Sequence, residues 1–117
     1  MKANPLDQPV ADTAPQPSST PPLFGSMLMG GFECAAHRLR NGRRLDVAAA
    51  TGHVRRAAED YRLLHAHGMT AARDGLRWHC IERRPGHYDW SELLTMLRGA
   101  RDSGTTIVWD LLHHGVP

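Results

Sequence analysis

Thr105-Thr106-Ile107-Val108-Trp109-Asp110-Leu111-Leu112 is the strongest strand signal in the chain. It is β-branched and apolar at both parities, as a parallel strand buried on two faces is. Reading back from it, Gly104 ends a helix whose start carries Asp89-Trp90-Ser91-Glu92, an N-cap followed by a capping glutamate. Trp90, Leu93, Leu94, Leu97 and Ala100 fall on one face of that helix. Arg83-Arg84-Pro85-Gly86 forms a turn, and Met69–Gly75 before it is a short strand, weakly signalled because alanine carries little β preference. Thr51–His67 has helical spacing through Val54, Ala57, Ala58, Tyr61, Leu64 and His65, with Gly68 as its stop. Leu23–Phe32 reads as a buried strand, and Arg38–Arg44, with its Asn41-Gly42 turn, as a solvent loop.

The order is strand, helix, strand, helix, strand, which predicts a parallel α/β architecture with right-handed crossovers. A Rossmann-type sheet and a barrel both fit that order. Gly30-Gly31-Phe32-Glu33 does not make the dinucleotide fingerprint, and no phosphate-loop motif follows any strand. The strand ends carry Glu33, then Arg73 and Asp74, then His113 and His114. In barrels the active site lies at the C-terminal strand ends, so this distribution favours a barrel.

A complete (β/α)8 barrel needs about 250 residues. The chain has 117, enough for one small domain. It is therefore expected to be the first three strands and two helices of such a barrel. Its 14 basic and 12 acidic residues give a net charge of +2, too balanced to imply nucleic acid or an anionic membrane as partner. Cys34 and Cys80 lack metal-type spacing and read as two reduced thiols. Six of the eight prolines lie in residues 1–22, which read as a disordered Pro/Ala/Ser-rich tail, with the barrel portion over 23–117. No signal peptide or membrane-spanning run is evident, so the expected location is cytoplasmic.

Ala72-Arg73-Asp74-Gly75-Leu76-Arg77-Trp78-His79-Cys80-Ile81-Glu82 resembles the second-strand segment of family 1 glycoside hydrolases, with an arginine on the strand and a tryptophan five positions on. Pro85-Gly86 and Tyr88-Asp89-Trp90 are similar to that family's approach to its second helix. Leu112-His113-His114-Gly115-Val116-Pro117 resembles its third-strand ending, and Met29-Gly30-Gly31-Phe32-Glu33 its first. Glu33 stands where the family has a sugar-binding glutamine, and His114-Gly115 replaces a tryptophan and an aspartate. The resemblance thus points to a divergent, β-glucosidase-like branch.

The resemblance implies a retaining hydrolysis of O-glycosidic bonds by two glutamates about 5 Å apart. In the family these follow the fourth and seventh strands, so no catalytic glutamate is expected in this chain. Arg73 would support the nucleophilic carboxylate, holding it ionised; the alternative is a structural arginine paired with Asp74 or a loop acid. Glu33 and His113 would bind sugar hydroxyls, the alternatives being a solvated loop acid and a histidine bonded to a backbone carbonyl. Trp78 would stack on a pyranose or pack against the rim, and Trp90 and Trp109 belong to the core. His113 and His114 would point to opposite faces of a regular strand, which disfavours joint chelation. A zinc site from His37, His113 and Glu33 lacks the usual spacing. Neither metal nor cofactor is expected, and the partner is a carbohydrate substrate. The competing readings are a non-catalytic carbohydrate- or protein-binding module and a degenerate barrel. A three-stranded sheet leaves open edges and an uncovered apolar face, so the chain alone is expected to fold poorly, aggregate and be inactive.

Overall fold

The structure, a computed structural model, describes residues 22–117. The expected N-terminal tail lies outside the described residues, apart from Pro22. In chain order the elements are β1 (Gly30–Gly31), β2 (Ala36–Arg38), β3 (Arg44–Asp46), α1 (Val47–Ala50), α2 (His53–Ala66) and β4 (Ala71–Gly75). Then follow α3 (Trp78–Ile81), β5 (Glu82–Arg84), β6 (His87–Tyr88), α4 (Ser91–Ser103) and β7 (Thr106–Asp110).

The organising unit is a three-stranded parallel sheet ordered β1-β4-β7. Gly30 sits opposite Ala72, Arg73 opposite Val108, and Gly75 opposite Asp110. Strand order follows chain order, an arrangement shared by the opening of a (β/α)8 barrel and by half of a doubly wound sheet. Two antiparallel hairpins, β2-β3 and β5-β6, are inserted in the connections. The first occupies the stretch expected to be a loop, with Gly42 at φ 80° in its turn.

α2 and α4 cover one sheet face. Their buried residues Ala57, Tyr61, Met96 and Ala100 form the core, against which Phe32, Ile107 and Trp109 pack. Side chains alternate along a strand. So Ile107 and Trp109 face the helices, while Val108 and Asp110 face away with Arg73. Small residues let the layers approach. A Cβ on Gly99 of α4 would lie 2.8 Å from Cα and Cβ of Ala58 on α2. No helix among the described residues is long and apolar enough to cross a membrane.

Four expectations need correction. The first strand is only two residues long, because Leu23, Met27 and Leu28 lie exposed rather than in the sheet. The buried stripe of α4 runs through Met96, Gly99 and Ala100, leaving Leu94 and Leu97 exposed. The close approach at Gly99 turns that face, not the leucine face, toward α2. Trp90 is not core; it stacks on Tyr88 at the rim. Nor is Asp89 the residue flanking α4. It caps one position early, its Oδ1 accepting from the Ser91 amide at 3.0 Å.

Candidate functional site

The C-terminal ends of the three parallel strands bring together Glu33, Cys34, Arg73, Asp110 and His113. Arg73 and Asp110 face each other on the side away from the helices. Nη2 of Arg73 is ion-paired with Oδ2 of Asp110 and lies 3.3 Å from Nδ1 of His113. A guanidinium only donates, so this contact is a hydrogen bond in the tautomer that carries its proton on Nε2. The Asp110 hydrogen bond raises the Arg73 pKa above its ordinary value, despite some desolvation.

Cys34 is buried beneath this pair. Its Sγ lies 3.3 Å from Nδ1 of His113 and 3.6 Å from Oδ2 of Asp110. Burial first, and the Asp110 carboxylate second, push the thiol up to about 11. Gly75 makes the room: a Cβ there would sit 2.6 Å from the Cβ of Cys34. Glu33 is half-exposed and folds back, its Oε1 accepting from the Ala35 amide at 2.8 Å while lying 3.4 Å from Nδ1 of His113.

β7 ends at Asp110, so His113 and His114 do not continue a strand. His114 adopts φ 58°, a left-handed conformation uncommon for a side-chain-bearing residue. The chain is held there because Ala36 donates its amide to the His113 carbonyl at 3.3 Å. Gly115 packs so closely on Ala36 that a Cβ would lie 2.9 Å from the Ala36 oxygen. The expectation that the two histidines diverge therefore fails. Their rings lie 4.9 Å apart, and both line one open cavity of about 530 Å³ with Glu33, Ala35 and His37.

Of the residues expected at the site, Arg73, Glu33 and His113 converge here. Trp78 does not join them: it makes edge contacts with Tyr88 and Trp90, ring centroids 6.2 and 5.8 Å away. Arg73 pairs with Asp110 rather than Asp74, because neighbours on a strand point to opposite faces. Sequence reading missed Cys34 and Asp110. The parallel register that sets Gly75 beside Asp110 was the missing information.

A second polar cluster ties the first hairpin to the rim. Oδ1 of Asp46 caps α1 through the Ala49 amide. Its Oδ2 accepts from Nε and Nη2 of Arg77 at 2.9 and 2.5 Å and lies 3.0 Å from Nε2 of His79. Arg77 also donates to Glu92 at 2.6 Å. Although burial opposes its charge, Asp46 is held below the usual carboxylate range by the Arg77 and Ala49 hydrogen bonds. Burial pushes His79 below its ordinary value against the pull of Asp46. The arrangement is a structural clamp, with the Asp46 carboxylate already filled by donors.

No known protein family, curated protein or solved structure matches the chain.

Proposed function

We propose that the chain supplies the first three strands of a (β/α)8-barrel glycoside hydrolase, β-glucosidase-like and retaining, acting on a carbohydrate substrate. The observation that carries this reading is the convergence of Glu33, Arg73 and His113 on the C-terminal side of the parallel sheet, beside an open cavity that Glu33 and His113 line with His37 and His114. A polyhydroxylated ring needs such a rim of carboxylate, imidazole and guanidinium.

In this reading the chain's residues bind and position. Glu33 accepts from sugar hydroxyls. His113 offers a donor from Nε2. Arg73 lies on the sheet face away from the helices, where the interior of a barrel would form, and holds a nucleophilic carboxylate from a later strand ionised. Asp110 keeps the guanidinium in place until that carboxylate engages it. Transfer to and from the sugar belongs to the two glutamates of the later strands.

The test is to read the coding DNA beyond the codon for Pro117. The expected result is a frame that continues into an Asn-Glu pair after a fourth strand and a second glutamate after a seventh. The protein from that frame should hydrolyse aryl β-glucosides, and Arg73→Gln should lower kcat by about 10²–10³-fold. A stop codon directly after Pro117, or a continued frame lacking both glutamates, sinks the catalytic reading.

A further inference from the structure

The geometry points to a transition-metal site at the same rim: Glu33 Oε1, Cys34 Sγ and His113 Nδ1 bind one Zn²⁺-class ion, with an open coordination position facing the cavity. This goes beyond the glycosidase reading and does not depend on it.

The separations carry the argument. With metal–ligand bonds of about 2.0–2.3 Å, the edges of a coordination tetrahedron run about 3.3–3.8 Å. Cys34 Sγ to His113 Nδ1 is 3.3 Å, and His113 Nδ1 to Glu33 Oε1 is 3.4 Å. All three donor atoms lie within 4.8 Å of one another. Glu33, half-exposed, closes the remaining edge by releasing its Oε1 from the Ala35 amide, 2.8 Å away. Thiolate, imidazole and carboxylate together favour zinc or cobalt over the hard oxygen-seeking cations.

The surroundings are built for it. Gly75 leaves space for the sulfur, and the Ala36–His113 hydrogen bond with the Gly115 contact fixes the backbone from which the imidazole projects. An ion takes the Nδ1 position that now lies 3.3 Å from Nη2 of Arg73, and the displaced guanidinium keeps its ion pair with Asp110. Charges balance: Glu33 and the Cys34 thiolate neutralise a dication, and Asp110 neutralises Arg73. Asp110, 3.6 Å from the sulfur, stays outside the ligand set with its guanidinium. On binding, the Cys34 S–H bond breaks, an S–metal bond forms and the proton leaves to solvent, with no change of oxidation state. His37 and His114 line the cavity on the open side, where a water or a hydroxyl completes four-coordination.

Asp46, His79 and Cys80 offer a comparable triad. There an ion must displace two nitrogens of the Arg77 guanidinium from Asp46, against the single longer contact of Arg73 on His113 Nδ1 at the rim, so it serves as the discriminating control.

The experiment is titration of the reduced 117-residue chain with Co²⁺, read by the thiolate-to-cobalt charge-transfer band in the near ultraviolet, and with Zn²⁺ by calorimetry. One ion per chain is expected, with the band lost in Cys34→Ser and kept in Cys80→Ser. Glu33→Gln and His113→Gln should each weaken Zn²⁺ at least about tenfold, since even outer-shell partners are worth that much. No charge-transfer band in the wild type overturns the site, as does a band that follows Cys80. Should Cys34→Ser fail to fold, alkylation mapping of the wild-type chain decides. Zn²⁺ protection at Cys34 supports the site, and protection at Cys80 alone overturns it. None of these readouts involves a glycoside, so they stand or fall separately from hydrolysis.

Discussion

His53 is held between two carboxylates inside the fold: Nε2 lies 2.8 Å from Oδ2 of Asp74, and Nδ1 lies 2.7 Å from Oδ2 of Asp60. Carboxylates only accept, so both contacts are satisfied together by the doubly protonated ring. Phe32 stacks on that ring at 3.8 Å, and the Tyr61 hydroxyl donates to the same Asp74 oxygen at 2.5 Å. The cluster pins α2 to β4.

A pH dependence of stability follows. Burial opposes the charged ring, yet the hydrogen bonds and charges of Asp74 and Asp60 outweigh it and raise the His53 pKa above 6.5. A raised cationic pKa contributes stability that is fully present below the unfolded value and is lost as pH rises through the folded value. Stability should therefore fall on the alkaline side of about 6.5, by at most about 1.4 kcal/mol per pH unit for one proton. Urea midpoints across that range, compared with His53→Gln, check it. A slope unchanged by the substitution would place the proton elsewhere.

Asp74→Asn should cost about 3–5 kcal/mol, because it strips the buried charge from beneath a buried imidazolium. Tyr61→Phe should cost less, about 1–3 kcal/mol, since Asp74 keeps His53 and the Gly75 amide. Chemical denaturation gives both. The reverse order would mean that Tyr61, not His53, is the principal partner of Asp74.

How far the sequence reached depends on whether a feature is periodic or paired. The helices at Thr51–His67 and Ser91–Ser103 and the strands near Ala71 and Thr106 show in spacing and in glycine stops at Gly68 and Gly104, both left-handed in the fold. Periodicity also mistook the face of α4, because Leu94 and Leu97 outrank Gly99 in apolarity while glycine alone permits the close approach. Arg73, Glu33 and His113 were legible as strand-end residues. Cys34 and Asp110 were not, since a sulfur 76 positions from its carboxylate partner leaves no local pattern. The His53–Asp74–Tyr61 cluster was hidden similarly: its members sit on a helix face and a strand that only tertiary packing aligns.

The sheet face opposite the helices carries Val108, 40% exposed, on a strand at one edge of the sheet. An exposed edge with apolar side chains pairs readily with another chain. Concentration-dependent self-association is expected by light scattering, and Val108→Lys should reduce it by placing a charge on that edge. Unchanged association would show that the contact lies elsewhere, such as at the exposed Leu111 and Leu112.

Gly99 sets the spacing of α2 and α4. A methyl there would meet the Cα and Cβ of Ala58 at 2.8 Å, and a backbone atom cannot swing aside as a side-chain end does. Overpacking of this kind costs about 1–3 kcal/mol. Against it stands the gain of about 1 kcal/mol from replacing glycine by alanine within a helix. Gly99→Ala should therefore be neutral to destabilising, by about 0–2 kcal/mol, where an open helical site would be stabilised by the same change. Gly99→Val adds bulk and β-branching and should cost distinctly more. Thermal or urea unfolding of the pair reads the difference. A Gly99→Ala chain more stable than wild type would mean that the two helices stand further apart than this packing requires.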